Sequence, residues 1–229
     1  MASTISIISS MATRQVLADL VAQFERTSPH RVSTESVGGV DAAKRVQAGE
    51  AFDAVVLAAN AIDQLIAAGR IVAGSRVDLV NSGVAVAVRA GSARPDIATE
   101  DSLKRAVLAA RSIGHSTGPS GVQLAKLFDR WGIAEQIKGR IVQAPPGVPV
   151  GSLVAQGEVA LGFQQLSELM NLAGIDVLGP LPTAIQIVTT FSGGVAVASN
   201  QGDAVREMLT FMAAPAAADV KRRNGMAPA

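Results

Sequence analysis

Short apolar segments alternate with amphipathic segments along most of this chain. Residues 5–8 and 52–58 are short runs rich in β-branched and other apolar side chains, as strands are. Residues 14–25, which lie between them, repeat their apolar side chains at helical spacing, and residues 61–68 form a second such segment that Gly69 ends. Strands that alternate with helices in this way are typical of a mostly parallel sheet with helices on both faces. The chain is therefore predicted to be an α/β protein.

The composition provides enough apolar material for two such sheets and excludes several functions. The chain has 229 residues, of which 48% are hydrophobic, so two lobes of roughly 100 residues each are expected. Its 20 basic and 19 acidic side chains leave a net charge of +1, which argues against a nucleic-acid partner because such proteins usually carry a basic face. Cysteine is absent and there are only 2 histidines, so we expect no disulfide, no bound metal and no other cofactor.

The hydropathy of the chain and its N-terminus bear on location. No apolar run reaches the roughly 18 residues that a membrane helix needs, so direct membrane insertion is not expected. The first residues lead straight into the first predicted strand and do not resemble the charged and apolar regions of a signal peptide. Two compartments stay open. The protein is cytoplasmic as the sequence stands, or periplasmic if a leader has been removed.

Two segments of the chain resemble each other. Residues 82–88 read Ser-Gly-Val-Ala-Val-Ala-Val, and residues 192–198 read Ser-Gly-Gly-Val-Ala-Val-Ala. They are either unrelated core strands or a matched pair of strands along which the chain leaves one lobe and later returns to it. The second interpretation predicts lobe I at residues 1–82 plus 197–229, lobe II at residues 83–196, and hinge strands near residues 82–89 and 191–199.

Four motifs, taken in order, carry a resemblance to a known family. Ile8-Ser9-Ser10-Met11 precedes a helix, as the oxyanion-binding serine turn of that family does, and residues 47–53 match its Q-x-G-x-x-x-D stretch. Residues 154–163 match its V-x-x-G-E-x-x-x-G strand, and residues 208–220 match its closing helices. The chain thus resembles the type II periplasmic-binding fold, and within it the molybdate-binding-protein-like receptors of ABC transporters. The resemblance implies two lobes, each a mixed and mostly parallel sheet flanked by helices, with two crossover strands as a hinge.

The chain departs from the molybdate receptors at two places. Gly38-Gly39 occupies the loop after the second strand, where those receptors have serines, and Gln164-Gln165 stands where they have a tyrosine. Tetrahedral oxyanions are held by hydroxyls and backbone N–H groups, whereas amide donors suit a planar carboxylate. We therefore expect a small organic anion, a di- or tricarboxylic acid. Gln164 and Gln165, just past a predicted strand, are candidate ligand donors, unless they only begin a surface helix.

Lobe I offers ligand-binding candidates in its first two strand-to-helix turns. Ser9 and Ser10 lie at a helix N-terminus, where unpaired N–H groups and the helix dipole attract anions, although an ordinary N-cap is the alternative. Gly38 and Gly39 either let backbone N–H groups approach a ligand or simply form a turn. Arg14, one turn into the first helix, is a candidate carboxylate clamp or a solvated surface residue.

The richest polar loop of the chain, residues 115–121, reads His-Ser-Thr-Gly-Pro-Ser-Gly and follows a predicted strand of lobe II. Open α/β sheets bind ligands at the carboxyl ends of their strands, so the hydroxyls of this loop are candidate donors to a bound oxygen. Ser120 could instead only cap the next helix. His115 is either a packing residue or, in an enzyme, a proton-transfer base. The ligand-binding candidates in this loop are Ser116, Thr117 and Ser120.

Two functions fit these candidates. A solute-binding protein, the leading interpretation, would close its lobes around the carboxylate and, if exported, deliver it to the membrane component of an ABC transporter. The alternative is an enzyme on the same scaffold, of the aconitate-isomerase kind, that moves a proton between carbons of an unsaturated carboxylic acid. His115 would be its base, in a cleft that excludes water. The sequence leaves open whether the cleft is catalytic.

Overall fold

The computed structural model describes residues 2–145 and 147–229, in which strands and helices alternate as the sequence predicts. The strands are β1 (Thr4–Ser10), β2 (Arg31–Val37), β3 (Ala54–Ala58), β4 (Val77–Arg89), β5 (Ile113–His115), β6 (Ile141–Gln143), β7 (Leu161–Gln165), β8 (Ile175–Pro180), β9 (Val188–Val195) and β10 (Met226–Pro228). The helices are α1 (Arg14–Thr27), α2 (Gly39–Gln47), α3 (Ala59–Ala67), α4 (Glu100–Ala109), α5 (Pro119–Arg130), α6 (Ala134–Ile137), α7 (Val150–Gln156), α8 (Leu166–Leu169), α9 (Gly202–Ala213) and α10 (Ala218–Arg223).

The chain divides by its internal contacts into two compact units. Unit 1 runs to Ser82 and resumes at Thr189, and unit 2 is Gly83–Val188. The first boundary falls inside β4. The second comes before residue 196, where lobe II was expected to end, because β9 pairs antiparallel with β3 from Phe191 through Val195 and so belongs with unit 1. The hinge role expected of these strands stays a prediction.

Unit 1 is built on a sheet in which β1 lies between β2 and β3, with β9 on the far side of β3. β1 is parallel to both of its neighbours. Its side chains alternate between two cores: Ile5 and Ile7 share an apolar cluster with Leu17 of α1, whereas Ile8 shares one with Val46 of α2. Because the three parallel strands run the same way, their carboxyl ends meet at one edge of this sheet.

Unit 2 is built on the second half of β4, which is antiparallel to β7 and to β8. β5 is parallel to β7 on one side and to β6 on the other. Helices α4 and α5 pack on one face of this sheet, and α7 packs closely on the other. A Cβ atom on Gly162 would lie 2.5 Å from Val154 Cγ2, so the strand needs a glycine where α7 approaches it. The carboxyl ends of β5, β6 and β7 again share one edge.

Candidate functional site

Each of the parallel strands of unit 1 is followed at once by a helical turn. Ser10 ends β1 and is the N-cap of a 3₁₀ turn, Gly38 is the N-cap of α2, and Ala58 is the N-cap of α3. A Cβ on Gly39 would lie 3.4 Å from Ser10 Cβ, so the first two of these turns are neighbours. Their first backbone N–H groups therefore point out from the same edge, an arrangement that favours a bound anion.

The serine hydroxyls at this edge already have partners within unit 1. Ser9 Oγ lies 2.8 Å from Ser36 Oγ, across the β1–β2 pair. Ser10 Oγ accepts a hydrogen bond from Ala12 N–H at 3.2 Å, which is the ordinary N-cap contact, and it keeps its own proton to donate. Ser36 is thus a polar member of this edge that the sequence reasoning missed, because only the strand register brings it beside Ser9.

Arg14 is the first residue of α1 and is exposed. Its guanidinium group is at the end of a long, flexible side chain, so it can serve either as a carboxylate clamp or as a solvated surface group. The clamp role of Arg14 stays a prediction.

His115 is the last residue of β5 and is only 7% exposed. Its Nδ1 atom lies 2.9 Å from the carbonyl oxygen of Ser116. Because a carbonyl oxygen can only accept, Nδ1 must carry the hydrogen, and the neutral ring then has its lone pair on Nε2. The contact therefore fixes the tautomer in which Nε2 can act as a base.

The loop after His115 is pressed against the first turn of α5. A Cβ on Gly121 would lie 1.9 Å from the Ser116 carbonyl oxygen and 2.9 Å from His115 Nδ1, so no other residue fits there without moving the loop. Thr117 is partly exposed and Ser120 is buried in the first turn of the helix. Ser116 Oγ accepts from Gly118 N–H at 3.4 Å. The structure thus brings the predicted hydroxyls together with His115 at the N-terminus of α5.

Gln164 and Gln165 are the last two residues of β7, not the first residues after it, and both are buried. Gln164 has internal partners: its Oε1 accepts from Gly151 N–H at 3.1 Å, and its Nε2 donates to Glu168 Oε1 at 2.8 Å. Its amide holds the start of α7 against α8, which makes the predicted ligand contact secondary to a structural one. Gln165 is on the other face of the sheet. It lies two residues beyond Phe163, which is directly opposite His115.

Glu168 is a second group that the sequence reasoning missed. It accepts a hydrogen bond from Gln164, four residues earlier, but Gln164 lies in a strand, so helical spacing gave no signal for the pair. Burial raises its pKa from 4.5 to about 7, and the hydrogen bond from Gln164 opposes that rise. The carboxyl edge of unit 2 therefore carries two titratable side chains, His115 and Glu168.

Among residues 2–145 and 147–229, no group of three or more His, Asp and Glu side chains could bind a metal ion. Within the same part of the chain, no helix is both long and apolar enough to cross a membrane.

Comparison with known proteins identifies the family. The sequence model of the bacterial extracellular solute-binding proteins matches residues 5–227. An aconitate isomerase from Pseudomonas sp. is 34% identical over 234 residues, which cover 99% of this chain and 88% of that protein.

Solved structures agree in fold. The periplasmic molybdate-binding protein of Azotobacter vinelandii has a TM-score of 0.79 at 19% identity and covers 97% of this chain and 98% of its own. The sulfate-binding protein of Mycobacterium tuberculosis has a TM-score of 0.79 at 16% identity and covers 99% of this chain and 87% of its own. The predicted type II periplasmic-binding fold is therefore confirmed, and the chain belongs to the bacterial extracellular solute-binding protein family.

Proposed function

We propose that this chain binds a small organic carboxylate and isomerises it by proton transfer, with an unsaturated tricarboxylate of the aconitate kind as substrate. The observation that carries the proposal is the contact between His115 Nδ1 and the Ser116 carbonyl, which leaves Nε2 as a base. The relative that is 34% identical over 99% of this chain is named an aconitate isomerase, and this supports the same reaction.

The reaction needs one base and no net change in composition. His115 Nε2 removes a proton from the methylene carbon beside one carboxylate, so that a C–H bond breaks and an N–H bond forms. The electron pair spreads into the neighbouring double bond and onto the carboxylate oxygens. The imidazolium then returns the proton to the carbon at the other end of the three-carbon unit, which shifts the double bond and restores the neutral ring.

Each unit by itself has neutral donors at its sheet edge that suit a carboxylate group. In unit 1 these are the hydroxyl of Ser10 and the backbone N–H groups at Gly38 and Gly39. In unit 2 the first turn of α5 and the amide of Gln165 can donate in the same way. Carboxylates accept hydrogen bonds readily from backbone N–H groups at helix N-termini.

The test is turnover of cis- and trans-aconitate, followed by their ultraviolet absorbance. We expect wild type to interconvert them and His115→Ala to lose at least about a hundredfold in kcat, the usual contribution of a general base. Ligand-induced stabilisation should survive in that variant, because the carboxylate donors are intact. His30→Gln alters the other histidine, which lies in unit 1, and serves as the matched control. Unchanged turnover in His115→Ala would show that the base is another group.

The second candidate function is a solute receptor, which the family description favours. A receptor of this kind binds its anion without changing it and, if exported, passes it to the membrane component of an ABC transporter. A rise in melting temperature with trans-aconitate, or with another organic acid or oxyanion, without any turnover would support the receptor over the isomerase.

A further inference from the structure

Glu168 is a titratable side chain that the proposed proton transfer does not use. It lies in α8, which directly follows β7, so it stands at the carboxyl end of that strand. Burial raises its pKa to about 7, although the hydrogen bond from Gln164 lowers it. A carboxyl with that pKa is a mixture of neutral and ionised forms near pH 7, whereas an ordinary glutamate is fully ionised there.

The hydrogen bonds of Gln164 determine which oxygen of Glu168 is engaged. Gly151 N–H can only donate, so the end of the Gln164 amide that faces it, at 3.1 Å, must be Oε1. The other end is then Nε2, which donates to Glu168 Oε1 at 2.8 Å. Glu168 Oε1 therefore accepts in both protonation states. The proton of the neutral acid is carried by Oε2, where it can be donated to a ligand.

Within the described residues, the elements packed against α8 supply no positive charge to Glu168. These elements are β7, α7, β8 and the second half of β4, whose Ala85 and Ala87 share an apolar cluster with Leu169. β7, α7 and the rest of α8 contain no titratable residue. β4 carries Arg89, but its guanidinium group lies beside Gly157, at the end of α7 away from Gln164. β8 contains Asp176, whose carboxylate accepts from Gly91 N–H and lies 3.8 Å from Arg94. No cation therefore compensates an ionised Glu168 for its lost hydration.

A glutamine at position 168 would accept the same hydrogen bond from Gln164 without any charge to desolvate. A carboxyl in this place thus has a cost in stability that an amide would not have, and such costs are typical of groups that function through their protonation state.

We propose that Glu168 couples anion binding to protonation: when a carboxylate or an oxyanion binds at the carboxyl edge of unit 2, Glu168 takes up a proton and donates it in a hydrogen bond from Oε2. This coupling rests on the proposed anion binding at that edge. A bound negative charge disfavours the carboxylate form of a nearby acid and so favours its protonation. The proton comes from solvent, and one O–H bond forms. A neutral carboxylic acid in an apolar surrounding is also a suitable donor to the charge that develops on a substrate carboxylate.

Calorimetric titration tests the coupling. Trans-aconitate is titrated into the protein at pH 8 in triethanolamine and in Tris, two non-anionic buffers whose ionisation enthalpies differ, so that proton uptake appears as a buffer-dependent heat. We expect wild type to take up close to about one proton per bound anion and Glu168→Gln to bind with almost no uptake. The control is Glu158→Gln, which removes an exposed carboxylate three residues before the start of β7 and should behave as wild type. Uptake that persists in Glu168→Gln contradicts the proposal.

Molybdate as a second anion separates this proposal from the isomerase. If trans-aconitate is not turned over, or not bound, but an anion still binds with uptake that Glu168→Gln abolishes, the isomerase proposal is wrong and the coupling stands. Binding without such uptake contradicts the coupling, and so does failure of both anions to bind.

The ligand-free protein provides an independent check. The pKa of Glu168 is higher in the folded than in the unfolded state, so its stabilising effect is present at low pH and is lost as pH rises from about 5 to 8. The melting temperature of wild type should therefore fall relative to that of Glu168→Gln over this range. Parallel pH dependences of the two proteins would contradict the proposal.

Discussion

At the scale of single residues, the geometry of His115 depends on a glycine in the neighbouring helix. Gly121 leaves just enough room for the Ser116 carbonyl, which in turn binds His115 Nδ1 at 2.9 Å. The polar loop therefore has two kinds of residue: the side chains that can bind or react, and a glycine without which they could not take their positions. A variant that keeps the hydroxyls of this loop but replaces Gly121 would therefore not keep His115 in position as a base.

Gly121→Ala is expected to displace the Ser116 carbonyl and to free the ring of His115. We expect a loss of about 1–3 kcal/mol in the free energy of unfolding, as for other overpacked sites, together with a fall in aconitate turnover. Thermal unfolding and the ultraviolet assay measure the two effects.

Gly118→Ala is the matched control for this change, because a Cβ there would lie 3.6 Å from Ser116 Oγ, which is an ordinary contact. We expect its stability and turnover to remain close to those of wild type. Equal effects of the two substitutions would show that the close packing at Gly121 does not hold the loop.

The sequence placed some side chains at the two sheet edges and missed others. Ser10 and His115 were expected at strand ends that precede a helix, and each does end a strand. Ser36 was missed because it joins Ser9 only through the parallel register of β1 and β2. Glu168 was missed because its character comes from burial, which no local pattern records. Contacts and desolvation are products of the tertiary structure, so residue types alone could not predict them.

At the scale of elements, β7 shows where pattern reading falls short. The apolar run predicts a strand at residues 159–163, but the strand is Leu161–Gln165. Val159 is apolar because it packs with α7 before the strand begins. The two glutamines extend the strand because their backbone pairs with β4 opposite Ala85 and Val84. The two polar side chains thus belong to the strand itself, whereas the sequence placed them just past its end.

Gln164→Ala tests whether this residue joins β7 to its helices. The substitution leaves Gly151 N–H without its partner and removes the hydrogen bond to Glu168, so we expect a loss of about 1–3 kcal/mol in the free energy of unfolding. Chemical denaturation gives the measurement. Gln156→Ala, at the exposed end of α7, should change it by less than about 0.5 kcal/mol. If the two variants are equally stable, the amide of Gln164 does not hold these elements together.

At the scale of the whole molecule, the order of strands and helices along the chain was the main basis for predicting the fold. The alternation predicted an α/β protein, and the four motifs predicted the periplasmic-binding fold, which the solved structures confirm. Unit 2 ends at Val188, before residue 196, because β9 pairs with β3, a strand that lies far away in sequence. Long-range pairing of this kind depends on the whole fold, so a short twin segment could only approximate the boundary.

Conversion of the bound ligand distinguishes the proposed isomerase from a solute receptor of the same family. The most direct measurement is the proton NMR spectrum of cis-aconitate, and separately of trans-aconitate, incubated with the protein. We expect each isomer to be converted and both reactions to reach the same final ratio, as catalysis of one equilibrium requires. If both spectra remain unchanged at protein concentrations that bind the anion, the protein is a receptor and His115 does not act as a base.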